Sequence, residues 1–137
     1  MKNIRIADSR NLWLNEESKY DDLGKEIKNI ILGILKMNGM SAKVTYRTKE
    51  TDSLIKKIAR KDSSYEAIHD KVGVRIVTYF KEQMTLIDDL LKLNFNDAIV
   101  KREDMADKLG DNVFGYQSIH YDLCKSENGK EYFCEIQ

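Results

Sequence analysis

The dipeptide Asn128-Gly129 constrains the fold of this chain more than any other feature of its sequence. It separates two segments in which apolar residues alternate, 118–125 and 130–137. Asn-Gly is a preferred pair for a two-residue turn between antiparallel strands. Such a short loop also fixes the partner of every residue across the two strands. The sequence therefore predicts a β-hairpin of defined register.

The predicted register gives the hairpin one apolar face and one polar face. The apolar face holds two facing pairs, Tyr121 with Ile136 and Leu123 with Cys134. The polar face holds two others, Asp122 with Glu135 and His120 with Gln137. Two carboxylates that face each other repel unless a nearby cation relieves the repulsion. The polar face is therefore a candidate site.

The composition is typical of one compact domain. The 137 residues are 42% hydrophobic and 34% charged, which is enough for one modest core. No apolar run approaches the roughly 18 residues of a membrane helix, and no apolar stretch typical of a secretory signal follows Met1. We therefore expect a cytoplasmic protein without a membrane span. In that compartment Cys124 and Cys134, on opposite faces of the hairpin, are expected to be free thiols.

Apolar periodicity predicts two helices and a strand in the first half of the chain. Apolar residues spaced by three and four predict a long helix over residues 20–35 that Asn15 or Ser18 caps and that ends at Asn38-Gly39. Residues 42–48 favour a strand. A second, short helix begins at residue 51 or 52 and ends near Lys61.

The second half is predicted to hold the centre of a sheet. Residues 72–80 are β-branched, aromatic and almost continuously apolar, which predicts a central strand buried on both faces. Residues 82–93 form an amphipathic pattern typical of a helix. A short strand over residues 97–101 and a polar loop over residues 102–114 complete the chain before the hairpin.

The second predicted helix is basic on one face and apolar on the other. Ser53, Lys57 and Lys61 recur at intervals of four, which places them on the same side of a helix. Arg47 and Lys49 come just before its N-terminus, where backbone N–H groups and the helix dipole attract anions. The whole chain has no net charge, so this basic segment is a local feature. It predicts a polyphosphate site, and the alternative is a solvated basic face.

Two acidic residues at strand ends are candidates for a metal site. Asp70 precedes one predicted strand and Glu135 ends another. Magnesium takes oxygen ligands and usually keeps several waters, so two acids near a phosphate site would suit it. The alternative for either acid alone is an exposed residue at a strand end.

The segment from Gly115 to His120 leads into the hairpin with an aromatic residue and a histidine. Tyr116 is suited to stacking on a nucleobase, and His120 to binding phosphate or moving a proton. The alternatives are a loop anchor and a hydrogen-bonded histidine of the sheet.

Four sequence blocks occur in order between Val44 and Gln137. They are Tyr46-Arg47-Thr48-Lys49 followed by Ser53 and Lys57, Asp70 before Gly73-Val74-Arg75-Ile76-Val77, Gly115-Tyr116-Gln117-Ser118-Ile119-His120, and Glu135-Ile136-Gln137. In this order they resemble the synthetase domain of the RelA/SpoT-type alarmone synthetases, a family that includes small alarmone synthetases and toxin relatives. Each block alone is weak, but the four together are specific.

The resemblance implies an α+β fold with a nucleotidyltransferase-like mixed β-sheet flanked by helices. It implies a single domain over residues 1–137, with residues 1–40 as a helical segment and residues 41–137 as the catalytic core. The implied reaction transfers the β,γ-pyrophosphate of ATP to the 3′-hydroxyl of GDP or GTP. Mg²⁺ is the implied cofactor.

The resemblance also implies a role for each matching residue. Arg47 would lie against the adenine of ATP, and the phosphates would contact Lys49, Ser53, Lys57 and Lys61, with Arg75 in support. Asp70 and Glu135 would be the catalytic residues and would hold the metal, with Glu135 as the alternative base on the attacking hydroxyl. The acceptor would contact Tyr116, His120 and Gln137.

The residues before Gly115 depart from the pattern of the family. Phe114 stands where typical alarmone synthetases have asparagine, and Asn112 where they have lysine. Relatives that modify the tRNA 3′ end or make adenosine alarmones are therefore alternatives, as is a nucleotide-binding module without turnover. We also expect that the chain is cut short at Gln137, since family members continue beyond it. The sequence leaves open whether the protein forms a homo-oligomer or binds an antitoxin partner.

Overall fold

The computed structural model describes residues 2–105 and 118–137, with side chains from residue 5 onward. Its helices are α1 (Lys2–Met37), α2 (Thr51–Lys61) and α3 (Lys81–Asn94). Its strands are β1 (Lys43–Thr48), β2 (Val72–Val77), β3 (Ile99–Asp104), β4 (Ile119–Glu127) and β5 (Lys130–Ile136). No helix in these ranges combines the length and the apolar character that crossing a bilayer requires.

The strands form one mixed sheet in the order β1-β2-β5-β4-β3. β2 and β5 run parallel, and the other neighbouring pairs run antiparallel. The α+β fold with a mixed sheet is thereby confirmed. β5 occupies the centre, which buries Cys134 and Ile136 almost completely.

The C-terminal hairpin has the register that the turn predicts. Tyr121 faces Ile136 and Asp122 faces Glu135. Asn128 and Gly129 both have positive φ angles, 53° and 76°, as the two-residue turn between twisted strands requires. β4 extends to Glu127, two residues further than predicted. Both cysteines are free, as expected from their opposite faces.

The helices pack on one face of the sheet. The ring of Tyr20 in α1 packs edge-on against Tyr132 of β5, with centroids 5.4 Å apart. On α3, Asp88 accepts a hydrogen bond from the hydroxyl of Tyr121 in β4. α1 also approaches β2 closely at Gly24, where a Cβ atom would lie 2.6 Å from Cγ2 of Val72. The core therefore lies between this face and the helices.

α1 begins much earlier than its apolar periodicity predicts. Neither Asn15 nor Ser18 caps it, because the helix already starts at Lys2. The reason is a tertiary contact: Trp13 is fully buried and its indole N–H donates a 3.2 Å hydrogen bond to Thr51 at the start of α2. The helix ends as predicted, with Gly39 in the left-handed region just after Met37.

The strand predicted over residues 72–80 is shorter and less buried than expected. β2 ends at Val77, and Arg75 and Val77 are exposed. The expectation of burial on both faces is wrong, because the helices cover one face of the sheet and β5, not β2, is its central strand.

The strand predicted over residues 97–101 lies further along the chain. β3 runs from Ile99 to Asp104, so the start of the predicted polar loop is strand. Arg102 faces Tyr121 on β4 and its guanidinium donates two hydrogen bonds to Asp88, which fixes this edge strand. Residues 106–114 of the predicted loop lie outside the described residues.

Candidate active site

The face of the sheet opposite the helices carries a row of paired positions across all five strands, with polar side chains on four of them. The row, which we call the open face, consists of Arg47, Gly73, Glu135, Asp122 and Lys101, each paired with the next in strand register. Gly73 has no side chain, so space remains between Arg47 and Glu135. The two carboxylates of the row are direct neighbours.

A cleft of about 410 Å³ opens on the β1-β2-β5 part of this face, next to the start of α2. Seven residues singled out in the sequence line it: Arg47, Lys49, Ser53, Asp70, Arg75, Glu135 and Gln137. Cationic and acidic side chains thus share one concave surface. A larger cavity of about 550 Å³ lies between α3 and the ends of β2, β4 and β5, but neither Asp70 nor Glu135 lines it. The chemistry that the sequence predicts belongs to the smaller cleft.

The N-terminus of α2 forms one wall of the cleft. Leu54 and Ile58 are fully buried, which turns Ser53 and Lys57 away from the core. Glu50 precedes the helix in an extended conformation, and its side chain does not cap the first turn. Helix N-termini leave backbone N–H groups without intrahelical partners, and these attract anions. The wall therefore combines such groups with basic side chains.

Asp70 is held by two lysines. Its carboxylate accepts hydrogen bonds of 2.8 Å from Lys57 and 3.1 Å from Lys49. Burial alone would raise the pKa of Asp70, but the hydrogen bonds from the two ammonium groups outweigh burial and hold that pKa below its usual range. Asp70 is therefore an ionised carboxylate with its charge compensated. The backbone N–H of Lys49 also donates to the carbonyl of Lys71, which ties the end of β1 to this segment.

Glu135 is oriented by its neighbours on the sheet. The side-chain amide of Gln137 donates a 2.9 Å hydrogen bond to Oε1 of Glu135 and in turn accepts one from Arg75. Nδ1 of His120 lies 3.5 Å from the same Oε1. Oε2 of Glu135 has no hydrogen-bond partner within the described ranges. Nε2 of His120 is buried and likewise has no partner there.

His69 and Phe133 were not singled out in the sequence, yet His69 contacts Asp122, which faces Glu135. The imidazole of His69 stacks on Phe133 with centroids 3.8 Å apart and planes inclined by 10°. Its Nδ1 lies 3.4 Å from Oδ2 of Asp122. The hairpin register does reveal Asp122 opposite Glu135. The contact with His69, however, depends on how the segment before β2 folds over the sheet, which no local pattern indicates.

The other predicted site residues differ in their placement. Lys57 and His120 do not line the cleft but contact residues that do. Lys57 donates a hydrogen bond to Asp70, and His120 lies next to Glu135. Lys61 is exposed at the end of α2 and does not line the cleft. Tyr116 lies outside the described residues. The roles assigned to all these residues stay predictions.

The acids of the cleft are candidate ligands of a metal ion. Among the described residues, no group of three or more histidine, cysteine or acidic side chains could hold a metal by itself. Asp70 and Glu135 do line the same cleft. Magnesium is commonly held by one or two carboxylates together with substrate phosphates and water. The pair therefore fits a magnesium ion that arrives with a nucleotide.

Comparison with known proteins gives one family and a set of similar folds. The model of a region found in RelA / SpoT proteins matches residues 46–137. No curated protein sequence matches the chain significantly.

Solved structures of alarmone synthetases have the same fold. Small alarmone synthetase 1 from Bacillus subtilis, bound to its product pppGpp, has a TM-score of 0.76 at 23% identity over 93% of this chain and 71% of that one. A GTP pyrophosphokinase family protein from Streptococcus pneumoniae has a TM-score of 0.74 at 24% identity, over 91% and 68%. The Bacillus subtilis protein bound to AMPCPP has a TM-score of 0.64 at 19% identity, over 93% and 69%.

The matched region begins within β1, extends through β5 and includes every residue that lines the cleft except Thr45. The order of the four sequence blocks, the mixed sheet and the family model agree with one another. The chain belongs to the RelA/SpoT family.

Proposed function

We propose that the protein is a nucleotide pyrophosphokinase that transfers the β,γ-pyrophosphate of ATP to the 3′-hydroxyl of GDP or GTP. The observation that carries this proposal is the cleft in which basic side chains and two carboxylates, Asp70 and Glu135, meet. Pyrophosphoryl transfer needs charge compensation on the phosphates and alignment of an acceptor oxygen. The bound pppGpp and AMPCPP of the Bacillus subtilis synthetase support nucleotides as the two substrates.

ATP, the pyrophosphate donor, is assigned to the wall of the cleft that the N-terminus of α2 forms. Lys49, Ser53 and Lys57 would contact its phosphates next to the N–H groups of the first helical turn. Lys61 has a weaker assignment because it does not line the cleft, whereas Lys57 contacts Asp70 there. Arg47, whose side chain is 81% exposed, would lie along the adenine, where a planar guanidinium stacks well on an aromatic ring.

Asp70 and Glu135 would hold magnesium together with the phosphates. When bound, the ion neutralises charge on the phosphates and orients them. Without nucleotide, Lys49 and Lys57 compensate the charge of Asp70. We infer that both lysines turn from Asp70 to the phosphates when nucleotide and metal bind, so that each charge keeps a partner.

The acceptor is assigned to the β5-β4 side of the open face. Tyr116 would stack on its base, His120 would contact its phosphates, and Gln137 would support this side. Arg75 stays assigned to the phosphates of ATP. The buried Nε2 of His120, which has no partner in the described part of the chain, is available for an oxygen of the substrate.

As the alternative to holding the metal, Glu135 would remove the proton from the acceptor. The 3′-oxygen attacks the β-phosphorus of ATP, the bond from that phosphorus to the α,β-bridging oxygen breaks, and AMP leaves with the electron pair. The proton of the hydroxyl passes to Glu135, whose Oε1 is fixed by Gln137. A carboxylate within hydrogen-bond reach of the hydroxyl is sufficient for this step.

The test is transfer of label from γ-labelled ATP in the presence of magnesium. GDP, GTP, AMP, ATP alone and deacylated tRNA are offered separately as acceptors. Label on GDP or GTP supports the proposal, whereas label on tRNA or on an adenine nucleotide moves the assignment to the toxin-type relatives. Absence of transfer to every acceptor, together with stabilisation by ATP and magnesium in a thermal shift, would identify a binding module instead.

A further inference from the structure

We propose that Asp122 accepts a hydrogen bond from the 2′-hydroxyl of the acceptor and thereby selects ribonucleotides over 2′-deoxyribonucleotides. The inference rests on the proposed function, because it takes Glu135 as the group beside the attacking 3′-oxygen.

The positions of the two carboxylates match a vicinal diol. Asp122 and Glu135 are directly opposite in the β4-β5 pair and lie on the open face. The Cβ atoms of such opposed residues are about 5 Å apart. The 2′ and 3′ oxygens of a ribose lie on neighbouring carbons, so a 3′-hydroxyl at Glu135 brings the 2′-hydroxyl toward the adjacent carboxylate.

Each carboxylate keeps one oxygen for a ligand. Oε1 of Glu135 accepts from Gln137, and Oδ2 of Asp122 lies 3.4 Å from Nδ1 of His69. Oε2 of Glu135 and Oδ1 of Asp122 have no hydrogen-bond partner in the part of the chain that the structure describes. Both side chains are about one fifth exposed, so a ligand can reach them.

The surroundings of Asp122 fix it in this position. His69 is stacked on Phe133 and directs its Nδ1 at the carboxylate. The neighbouring Lys101 forms a 3.0 Å ion pair with Glu103 and also attracts Asp122 electrostatically. Facing carboxylates destabilise a sheet. The contact with His69 and the charge of Lys101 act against that repulsion. A hydroxyl donor between the two acids would reduce the repulsion between their carboxylates further.

The experiment compares GDP with 2′-deoxy-GDP as acceptors. The quantity is the ratio of their kcat/KM values, measured for the unmodified protein, Asp122→Ala, Asp122→Asn and Cys124→Ser. Cys124 lies two residues along the same strand and faces the same side, so it is the matched control. The influence of a 2′-hydroxyl on the reactivity of the 3′-hydroxyl is the same in every variant and cancels in the comparison.

We expect Asp122→Ala to lower the GDP preference by about 10-fold to 100-fold, the range for a hydrogen bond to a charged group. The GDP preference of Asp122→Asn should lie between those of the unmodified protein and Asp122→Ala, because an amide oxygen still accepts a hydrogen bond but carries no charge. It also reports on the proposal if the alanine variant does not fold. Cys124→Ser should keep the ratio.

An unchanged ratio in both Asp122 variants would overturn the inference, even if both rates fall together, because it would leave Asp122 a merely structural partner of His69. Absence of transfer to either nucleotide by the unmodified protein would instead overturn the proposed function, and the inference with it. If another acceptor receives the label, the same ratio is measured with that acceptor and its 2′-deoxy form.

Discussion

The ammonium group of Lys57 donates a 2.8 Å hydrogen bond to Asp70, which lines the cleft. The proposed function assigns these two side chains to opposite partners, Lys57 to the phosphates of ATP and Asp70 to magnesium. Their contact therefore keeps both charges compensated until the substrate arrives.

Lys57→Met removes this cation next to Asp70 and is expected to raise the KM for ATP in the transfer reaction. Loss of a charged hydrogen bond to phosphate corresponds to a change of about 10-fold to 100-fold. The matched control is Lys56→Met, the exposed lysine next to Lys57 on α2, which does not line the cleft and has no assigned role. It should change KM by less than about threefold, which is the scale of an exposed charge. Equal effects of the two substitutions would contradict the placement of the phosphates.

The close approach of α1 to the sheet gives a prediction about stability. A Cβ atom at Gly24 would lie 2.6 Å from Val72 and 2.7 Å from Tyr46, whereas one at Gly33 would meet nothing within 4 Å. Gly24→Ala should therefore lower the free energy of unfolding by about 1–3 kcal/mol through overpacking. Gly33→Ala should raise it by about 0.5–1 kcal/mol through helix propensity. Denaturant unfolding of both variants measures the contrast, and destabilisation by both would count against the contact at Gly24.

The buried Asp88 predicts a pH dependence of stability. Burial alone would raise its pKa, but hydrogen bonds from Arg102, Tyr121 and Lys92 outweigh burial and hold that pKa below its usual range. A carboxyl with a lowered pKa in the folded state stabilises the fold above the pKa of the unfolded chain, about 4, and this contribution disappears as pH falls through the folded value.

Asp88→Asn should thus lower the free energy of unfolding by about 3 kcal/mol at pH 7, which is the scale for breaking a buried ion pair. The difference in free energy of unfolding between the variant and the unmodified protein should become smaller as the pH falls below about 4. Asp89→Asn, on the exposed side of the same helix, is the control and should have little effect at any pH. If the difference in free energy of unfolding stays constant down to low pH, the charge of Asp88 does not stabilise the fold.

Local patterns predicted the parts of the fold that local chemistry determines. The turn at Asn128-Gly129 fixed the hairpin register, and with it the pairing of Asp122 with Glu135. The amphipathic pattern of α2 gave its bounds within one residue, because one side of the helix is apolar and the other basic.

Features that depend on distant partners were not predictable in this way. Trp13 extends the buried side of α1, but Leu12 and Leu14 beside it are exposed, so the local sequence has no clear period. The order of the strands makes β5 central, although residues 72–80 are more uniformly apolar. The stacking of His69 on Phe133 joins two segments that only the folded chain brings together.

The proposed pyrophosphate transfer depends most directly on Glu135. The most direct measurement is the rate of label transfer from γ-labelled ATP to GDP or GTP by Glu135→Gln, beside Glu131→Gln as control. Glu131 lies on the same strand, faces the same side and is exposed. We expect Glu135→Gln to lose about 100-fold or more in rate while it still binds ATP, and Glu131→Gln to keep the normal rate. Transfer by Glu135→Gln at the rate of the unmodified protein would contradict the account.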